Sequence, residues 1–143
     1  MSAQVFELHS VAEMEDLGRK IGAHLRPGDV LLLKGDLGAG KTTFTRGLGD
    51  SLGITGITSP TFVISKIYQA TIPLIHVDAY RLVGNELALF DDLDLESRIP
   101  NSITVIEWGS GFVERLVGEY ISVEIEFGAD ENDRLVTVTG LRL

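Results

Sequence analysis

The sequence contains no cysteine, few basic residues and no long apolar segment. Its 143 residues include 12 lysines and arginines against 21 aspartates and glutamates, which gives a formal net charge of -9. Without cysteine the chain has no disulfides, no thiolate metal ligands and no thiol nucleophile, a composition compatible with a reducing compartment. An acidic surface repels phosphate backbones, so nucleic-acid binding by the chain alone is disfavoured.

The acidic character is strongest in the second half of the chain. From Glu86 to Asp133 the only basic residues are Arg98 and Arg115. Such a segment is most often plain solvated surface, and docking on a basic partner is the alternative.

Secretory and membrane-spanning segments are also missing. No apolar run approaches the length of a membrane span. The first sixteen residues contain four acids and lack the basic start and apolar core of a signal peptide. We therefore expect a cytoplasmic protein with one domain over residues 1–143, since 44% hydrophobic residues suffice for a sizeable core.

A phosphate-binding motif lies in the first third of the chain. Residues 35–42 read Gly-Asp-Leu-Gly-Ala-Gly-Lys-Thr, a complete Walker A motif, hereafter the P-loop, and the apolar residues 30–33 precede it. In such a motif backbone N–H groups and a helix N-terminus surround phosphates, Lys41 bridges the β- and γ-phosphates, and the Thr42 hydroxyl binds Mg²⁺. A glycine-rich turn that matches by chance is the alternative, which the preceding apolar run disfavours. Because no Asn-Lys-x-Asp guanine motif occurs, the predicted nucleotide is ATP.

Two apolar segments end in a carboxylate. Residues 74–77 precede Asp78, and residues 103–106 precede Glu107. In an open α/β sheet, ligands lie beyond the carboxyl ends of the strands, where the P-loop also lies. Both carboxylates are therefore candidates to hold Mg²⁺ or to position water, although each also fits a turn or a helix cap.

Further polar residues have two interpretations each. Residues 58–62, Thr-Ser-Pro-Thr-Phe, fit either a switch segment that contacts the γ-phosphate or a simple Ser-Pro turn. His76 is interpreted as a packed strand residue more readily than as a base. Trp108 lies against nucleotide or caps the core, and Arg81 reaches phosphate or pairs with local carboxylates.

The hydrophobic patterns predict a P-loop NTPase-like α/β fold, with three layers and a mixed, partly antiparallel sheet. A capping box at Ser10 opens a predicted helix that ends near Leu25. The other predicted elements are strands at 4–9, 30–33 and 102–106, helices at 42–52 and 109–118, one or two short helices within 85–98, and antiparallel hairpins at 62–69 with 72–78 and at 121–127 with 135–139.

Four ordered segments together resemble the TsaE family. They are residues 35–44, Ser-Pro-Thr-Phe at 59–62, His-Val-Asp-Ala-Tyr-Arg at 76–81 and Ile-Glu-Trp at 106–108. The resemblance extends over essentially the whole chain. It implies a bacterial cytoplasmic ATPase that supports transfer of a threonylcarbamoyl group to the adenosine following the anticodon of certain tRNAs. The implied partners are TsaD, which performs the transfer, and TsaB.

The same resemblance assigns roles to individual residues. It implies that Thr42 and Glu107 hold Mg²⁺ and that Lys41, Asp78 and Thr61 are catalytic. It places Ser10 near the adenine, and it adds Arg134, at a basic position of the closing hairpin, to the cofactor-binding residues. The implied phosphate loop consists of Asp36, Leu37, Gly38, Ala39, Gly40, Lys41, Thr42 and Thr43.

Two other functions remain open at this point. A small nucleotide or metabolite kinase is the runner-up, but its arginine-rich lid is missing, since the eight arginines are scattered. A nucleotide-sensing module with negligible turnover is the third. Only Arg46 and Arg81 lie near enough in sequence to neutralise charge on a γ-phosphate, so we expect slow turnover alone, no tRNA binding alone, and activation by a partner.

Overall fold

The computed structural model describes residues 3–58, 65–79, 95–108 and 113–141. Within these ranges the chain forms strands and helices in the order β1 (Ala3–Leu8), α1 (Val11–Gly22), β2 (Val30–Lys34), α2 (Lys41–Ser51), β3 (Ser65–Tyr68), β4 (Leu74–Asp78), α3 (Leu95–Arg98), a 3-10 turn (Ile99–Asn101), β5 (Ile103–Glu107), α4 (Val113–Leu116), β6 (Ile121–Phe127) and β7 (Arg134–Thr139).

All seven of these strands belong to one mixed sheet, in the order β1-β7-β6-β2-β5-β4-β3. The central strands are parallel, β2 with β5 and β6, and β4 with β5. The outer pairs β3/β4, β6/β7 and β1/β7 are antiparallel. The predicted α/β class with a mixed, partly antiparallel sheet is confirmed, as are both hairpins.

The central strands bury side chains on both faces, which explains their continuous apolar sequences. Leu31 and Leu33 of β2 join the larger core cluster, which includes residues of α1 and α2. Val30 and Leu32, on the other face, join a smaller cluster that includes Ile99. The sheet therefore lies between the α1–α2 pair and the shorter elements around α3 and α4.

Helix α1 begins as predicted and ends earlier than predicted. Ser10 Oγ accepts a hydrogen bond from the Glu13 backbone N–H at 3.1 Å. The helix ends at Gly22 and not near Leu25, and Leu25 N–H donates to the Gly22 carbonyl, one residue short of the α-helical spacing. Pro27 disfavours helical backbone at the residue before it, so the chain leaves the helix in a tighter turn.

Helices α1 and α2 pack closely because glycines face each other across their contact. A Cβ at Gly47 would lie 2.0 Å from the Glu15 carbonyl oxygen, and one at Gly18 would lie 2.2 Å from the Phe44 carbonyl oxygen. No side chain fits in either place. This contact holds the first turn of α1 beside the P-loop that leads into α2.

Some predicted segments lie partly or wholly outside the described residues. The Ser-Pro-Thr-Phe segment is one of these, and most of 85–98 is another, with α3 as its described end. Of the predicted helix 109–118, the structure describes α4. None of the helices in the described ranges has the length and apolar character of a transmembrane span.

Candidate functional site

The P-loop joins the end of β2 to the start of α2 and has the backbone of a phosphate cradle. Gly38 and Gly40 adopt positive φ angles of 81° and 118°. The φ at Gly40 is one that other residues rarely adopt, so this position favours glycine by backbone conformation. The first turn of α2 has neither an acidic residue nor a side-chain cap. Its N–H groups and partial positive charge are therefore available to an anion.

A cavity of about 110 Å³ lies on one side of the P-loop and includes the two most distant predicted residues. Ser10 and Arg134 both line it, together with Val11, Met14, Gly38, Ala39, Gly40, Thr43 and Asn132. Arg134 donates from Nε to the Ala39 carbonyl at 2.9 Å, and its guanidinium lies 4.7 Å from the Phe127 ring centroid. In this structure Arg134 therefore supports the P-loop backbone directly.

An ion pair joins the two walls of this cavity. His9 Nδ1 lies 2.8 Å from Asp133 Oδ1, and these residues immediately precede Ser10 and Arg134. The hydrogen bond to the Asp133 carboxylate raises the pKa of His9 above its usual 6.5. The same hydrogen bond lowers the pKa of Asp133 below its usual 3.8. The pair thus links the start of α1 to the β6–β7 turn in a pH-dependent manner.

The two predicted carboxylates lie side by side at the carboxyl edge of the sheet. Asp78 and Glu107 are register partners on the parallel strands β4 and β5. Glu107 is also the register partner of Leu33, two residues before the P-loop. The structure thus brings both acids to the strand edge where the P-loop begins.

Glu107 is buried and makes two contacts that sequence reasoning missed. Its Oε1 lies 3.7 Å from Lys41 Nζ, and its Oε2 lies 2.5 Å from His76 Nε2. All three side chains are less than 10% exposed. The interpretation of His76 as a packed strand residue is confirmed, since the residue is fully buried. The His76–Glu107 contact depends on the register of β4 against β5. The available signal in the sequence was that residues two apart in a strand lie on the same face, which places His76 on the face of Asp78.

The ring of Trp108 also contacts Lys41. Lys41 Nζ lies 3.9 Å from the Trp108 ring centroid, a distance typical of a cation–π contact. Trp108 is 43% exposed and has a φ of 61°, an unusual backbone conformation for a non-glycine residue. It therefore does not close the core, and its predicted alternative, a contact with nucleotide, stays a prediction.

A second cavity, of about 330 Å³, lies on the Trp108 side of the P-loop. Its lining includes Asp36, Glu124, Glu126 and Phe127. The sequence predicted the hairpin that carries the last three residues but not its position beside β2, which is set by the pairing of β6 with β2.

The remaining predicted residues are less central or not described. Arg46 donates to the Ile57 carbonyl at 3.1 Å. It stands five residues beyond Lys41, about 7.5 Å along the helix from the P-loop end of α2. Arg81 and Thr61 lie outside the described residues. Leu37 is 90% exposed at the tip of the P-loop.

The donor set fits Mg²⁺ shared with a phosphate. No group of three or more His, Asp or Glu side chains within the described ranges is arranged to hold a metal without other ligands. Mg²⁺ beside a nucleotide typically takes only one or two carboxylates, with phosphate oxygens and water completing its coordination. Thr42 on the first turn of α2, with Glu107 and Asp78 at the strand edge, matches that requirement.

Comparison with known proteins identifies relatives over nearly the whole chain. The sequence profile of the family described as threonylcarbamoyl adenosine biosynthesis protein TsaE matches residues 8–136. A tRNA threonylcarbamoyladenosine biosynthesis protein TsaE from Streptomyces coelicolor is 49% identical over 136 residues, covering 90% of both chains. The protein of the same name from Bacillus subtilis is 40% identical over 134 residues, covering 91% of this chain and 82% of the relative.

A solved structure has the same fold. The crystal structure of Bacillus subtilis YdiB superposes with a TM-score of 0.78 and 34% sequence identity. The superposition covers 96% of this chain and 84% of that chain.

Proposed function

The chain belongs to the TsaE family of tRNA threonylcarbamoyladenosine biosynthesis proteins, and on that premise we propose that it is a cytoplasmic Mg²⁺-dependent ATPase that supports this modification. One observation carries the proposal. An uncapped helix N-terminus, a glycine cradle, a buried lysine and two carboxylates lie at one edge of the sheet. These are the parts that phosphoryl transfer from a nucleotide requires.

Phosphate binding begins at the P-loop backbone. The N–H groups at the start of α2 and the positive end of that helix attract the phosphates, since the first turn has no acidic residue and no side-chain cap. Lys41, whose ammonium contacts Glu107 and the Trp108 ring in the structure, then turns to the β- and γ-phosphates. The adenosine is assigned to the cavity of Ser10 and Arg134.

This movement of Lys41 couples nucleotide binding to metal binding. Lys41 and Glu107 are both buried and compensate each other's charge in the structure. Once Lys41 faces phosphate, Glu107 is left charged and buried, which favours a second cation at its Oε1. Thr42 and Glu107 would hold Mg²⁺, which when bound neutralises charge that develops on the phosphate oxygens. Asp78, beside Glu107 on β4, is assigned to orienting the attacking water, with Thr61 contributing from the Ser-Pro-Thr-Phe segment.

The proposed role in the modification is accessory. A net charge of -9 opposes direct tRNA binding. Arg46, the arginine of α2, is bonded to the Ile57 carbonyl, so turnover should be slow until a partner contributes a missing group. We assign that contribution to the TsaB and TsaD proteins. P-loop hydrolases without an internal arginine finger gain ~10³-fold or more from such a partner.

The test is ATP turnover measured for the chain alone, with tRNA, and with purified TsaB and TsaD at physiological salt. We expect slow release of inorganic phosphate alone, no effect of tRNA alone, and activation by the two proteins. Lys41→Ala should abolish phosphate release in every mixture. Wild-type turnover in Lys41→Ala would reject the P-loop as the active site, and phosphorylation of an added nucleoside would favour a kinase.

A further inference from the structure

The side chain of His76 is buried in β4 at a position where an apolar residue would be expected. It is fully buried, and its neighbours along the strand are Leu74, Ile75 and Val77, which are also fully buried. Within the described part of the chain its Nδ1 has no hydrogen-bond partner. A buried polar atom without a partner is unfavourable for folding. The contact made by the other ring nitrogen must therefore explain why a histidine occupies this position.

That nitrogen, Nε2, makes the contact with Glu107. The Glu107 carboxylate faces the Lys41 ammonium through Oε1, and an ionised carboxylate only accepts hydrogen bonds. His76 Nε2 therefore donates to Glu107 Oε2, which leaves Nδ1 as the unprotonated nitrogen of the ring.

We propose that His76 is a positioning residue. Its hydrogen bond holds Oε2 of Glu107 within the sheet, so that only Oε1 of Glu107 faces the P-loop site. His76 and Glu107 lie on neighbouring parallel strands and on the same face, since their register partners are Val105 and Asp78. The imidazole of His76, which is the donor, is held in place by the backbone of β4 and by the buried surroundings of the side chain. The carboxylate is thus held by a group that cannot move with the P-loop.

The arrangement prevents Glu107 from pairing with Lys41 through both oxygens. With Oε2 occupied, the Lys41–Glu107 contact is limited to one oxygen at 3.7 Å, longer than an ordinary hydrogen bond. A carboxylate free to rotate would present both oxygens to the ammonium and hold it more tightly. His76 therefore keeps Lys41 available to phosphate and Oε1 available to a cation, a consequence that rests on the proposed function.

The first experiment measures metal affinity and not turnover. The full-length wild type, His76→Leu and His76→Gln are titrated with Mg²⁺ by calorimetry in the presence of a non-hydrolysable ATP analogue. Leucine removes the donor, whereas the glutamine amide reaches the place of Nε2. We expect His76→Leu to weaken the apparent Mg²⁺ affinity about 10- to 100-fold, as loss of a group that orients a metal ligand commonly does, and glutamine to restore most of it.

Thermal unfolding of each variant separates positioning from a structural role. Leucine suits this apolar environment, so its melting temperature should not fall in parallel with the Mg²⁺ affinity. In the Glu107→Gln background, His76→Leu should have little further effect on Mg²⁺ affinity. Equal affinities for leucine and glutamine variants, or an undiminished effect of leucine in that background, would overturn the proposal.

A second measurement on the wild type needs no substitution at position 76. Long-range ¹H–¹⁵N spectra of the ligand-free protein report which ring nitrogen of each of its three histidines carries the proton. We expect His76 to be protonated at Nε2, and protonation at Nδ1 alone would overturn the proposal. This result tests the His76–Glu107 hydrogen bond even if the wild type shows no Mg²⁺-dependent nucleotide binding, which would instead refute the proposed function.

Discussion

Removing the charge of Lys41 should destabilise the ligand-free protein, and removing the charge of Glu107 as well should restore it. Both side chains are less than 10% exposed, and their charged atoms lie 3.7 Å apart. At an effective dielectric constant of about 20, their attraction is about 4.5 kcal/mol before desolvation is subtracted. Loss of one member of a buried pair leaves the other charge uncompensated, which commonly costs about 3–5 kcal/mol.

The substitution Lys41→Met keeps most of the length of the apolar stem but removes the ammonium, and with it the cation–π contact with Trp108. Because His76 still bonds to Glu107, we expect a loss at the lower end of that range, about 3 kcal/mol, or roughly 10 °C in melting temperature for a chain of this size. The double variant Lys41→Met/Glu107→Gln removes both charges and should recover most of the loss, because a buried pair is often replaceable by neutral groups. Neither variant should bind ATP.

Urea unfolding followed by circular dichroism measures this stability without relying on Trp108 fluorescence, which the substitutions themselves perturb. Single Glu107→Gln is the matched control, and it should destabilise the protein through an unpaired Lys41 ammonium. An unchanged stability of Lys41→Met would show that the pair contributes nothing. A double variant less stable than both single variants would show that the two charges do not compensate each other.

Three further predictions concern the packing, the ion pair and the second carboxylate. Gly47→Ala should lower the free energy of unfolding by at least about 2 kcal/mol, since its Cβ would lie 2.0 Å from a backbone oxygen, whereas Gly118→Ala, with open space around it, should change little in the same denaturation assay. His9→Gln should destabilise the protein most between about pH 4 and 6.5, where both members of the His9–Asp133 pair are charged. The stabilisation by the pair is lost as the pH rises through the raised pKa of His9. It is also lost as the pH falls through the lowered pKa of Asp133. Melting curves at pH 3, 5.5 and 8.5 check this, and an equal loss at all three would contradict it. Asp78→Asn should slow ATP turnover while retaining Mg²⁺-dependent nucleotide binding. If Asp78→Asn lowers the Mg²⁺ affinity more than Glu107→Gln does, then Asp78 is the metal ligand and Glu107 orients the water.

Features that depend on consecutive residues were accessible from the sequence. The capping box at Ser10 predicted the start of α1, and the alternation in residues 121–139 predicted the closing hairpin. The end of α1 was less accurate, because the tight turn before Pro27 retains some helix-like hydrogen bonding. Hydrogen bonding within a turn and the preference of each residue for backbone conformation act over a few positions, so the order of residues is sufficient to predict them.

The composition of the site was also largely present in the sequence. The P-loop motif located the glycine cradle, and the ends of two apolar strands located Asp78 and Glu107. The resemblance to the TsaE family placed Ser10 and Arg134 near the nucleotide site, and the structure brings both to the same cavity beside the P-loop. Whether these residues bind ATP and Mg²⁺ stays a prediction.

The motif, the strands that flank it and the acids at their ends are each encoded in a short stretch of chain, so they could be predicted from the order of residues. The contacts of Glu107 with both Lys41 and His76, and the hydrogen bond from Arg134 to the carbonyl of Ala39 across 95 positions of sequence, became visible in the folded chain. These contacts follow from the register of strands and the close packing of α1 on α2. Register and packing minimise the free energy of the whole core, so no local segment specifies them alone.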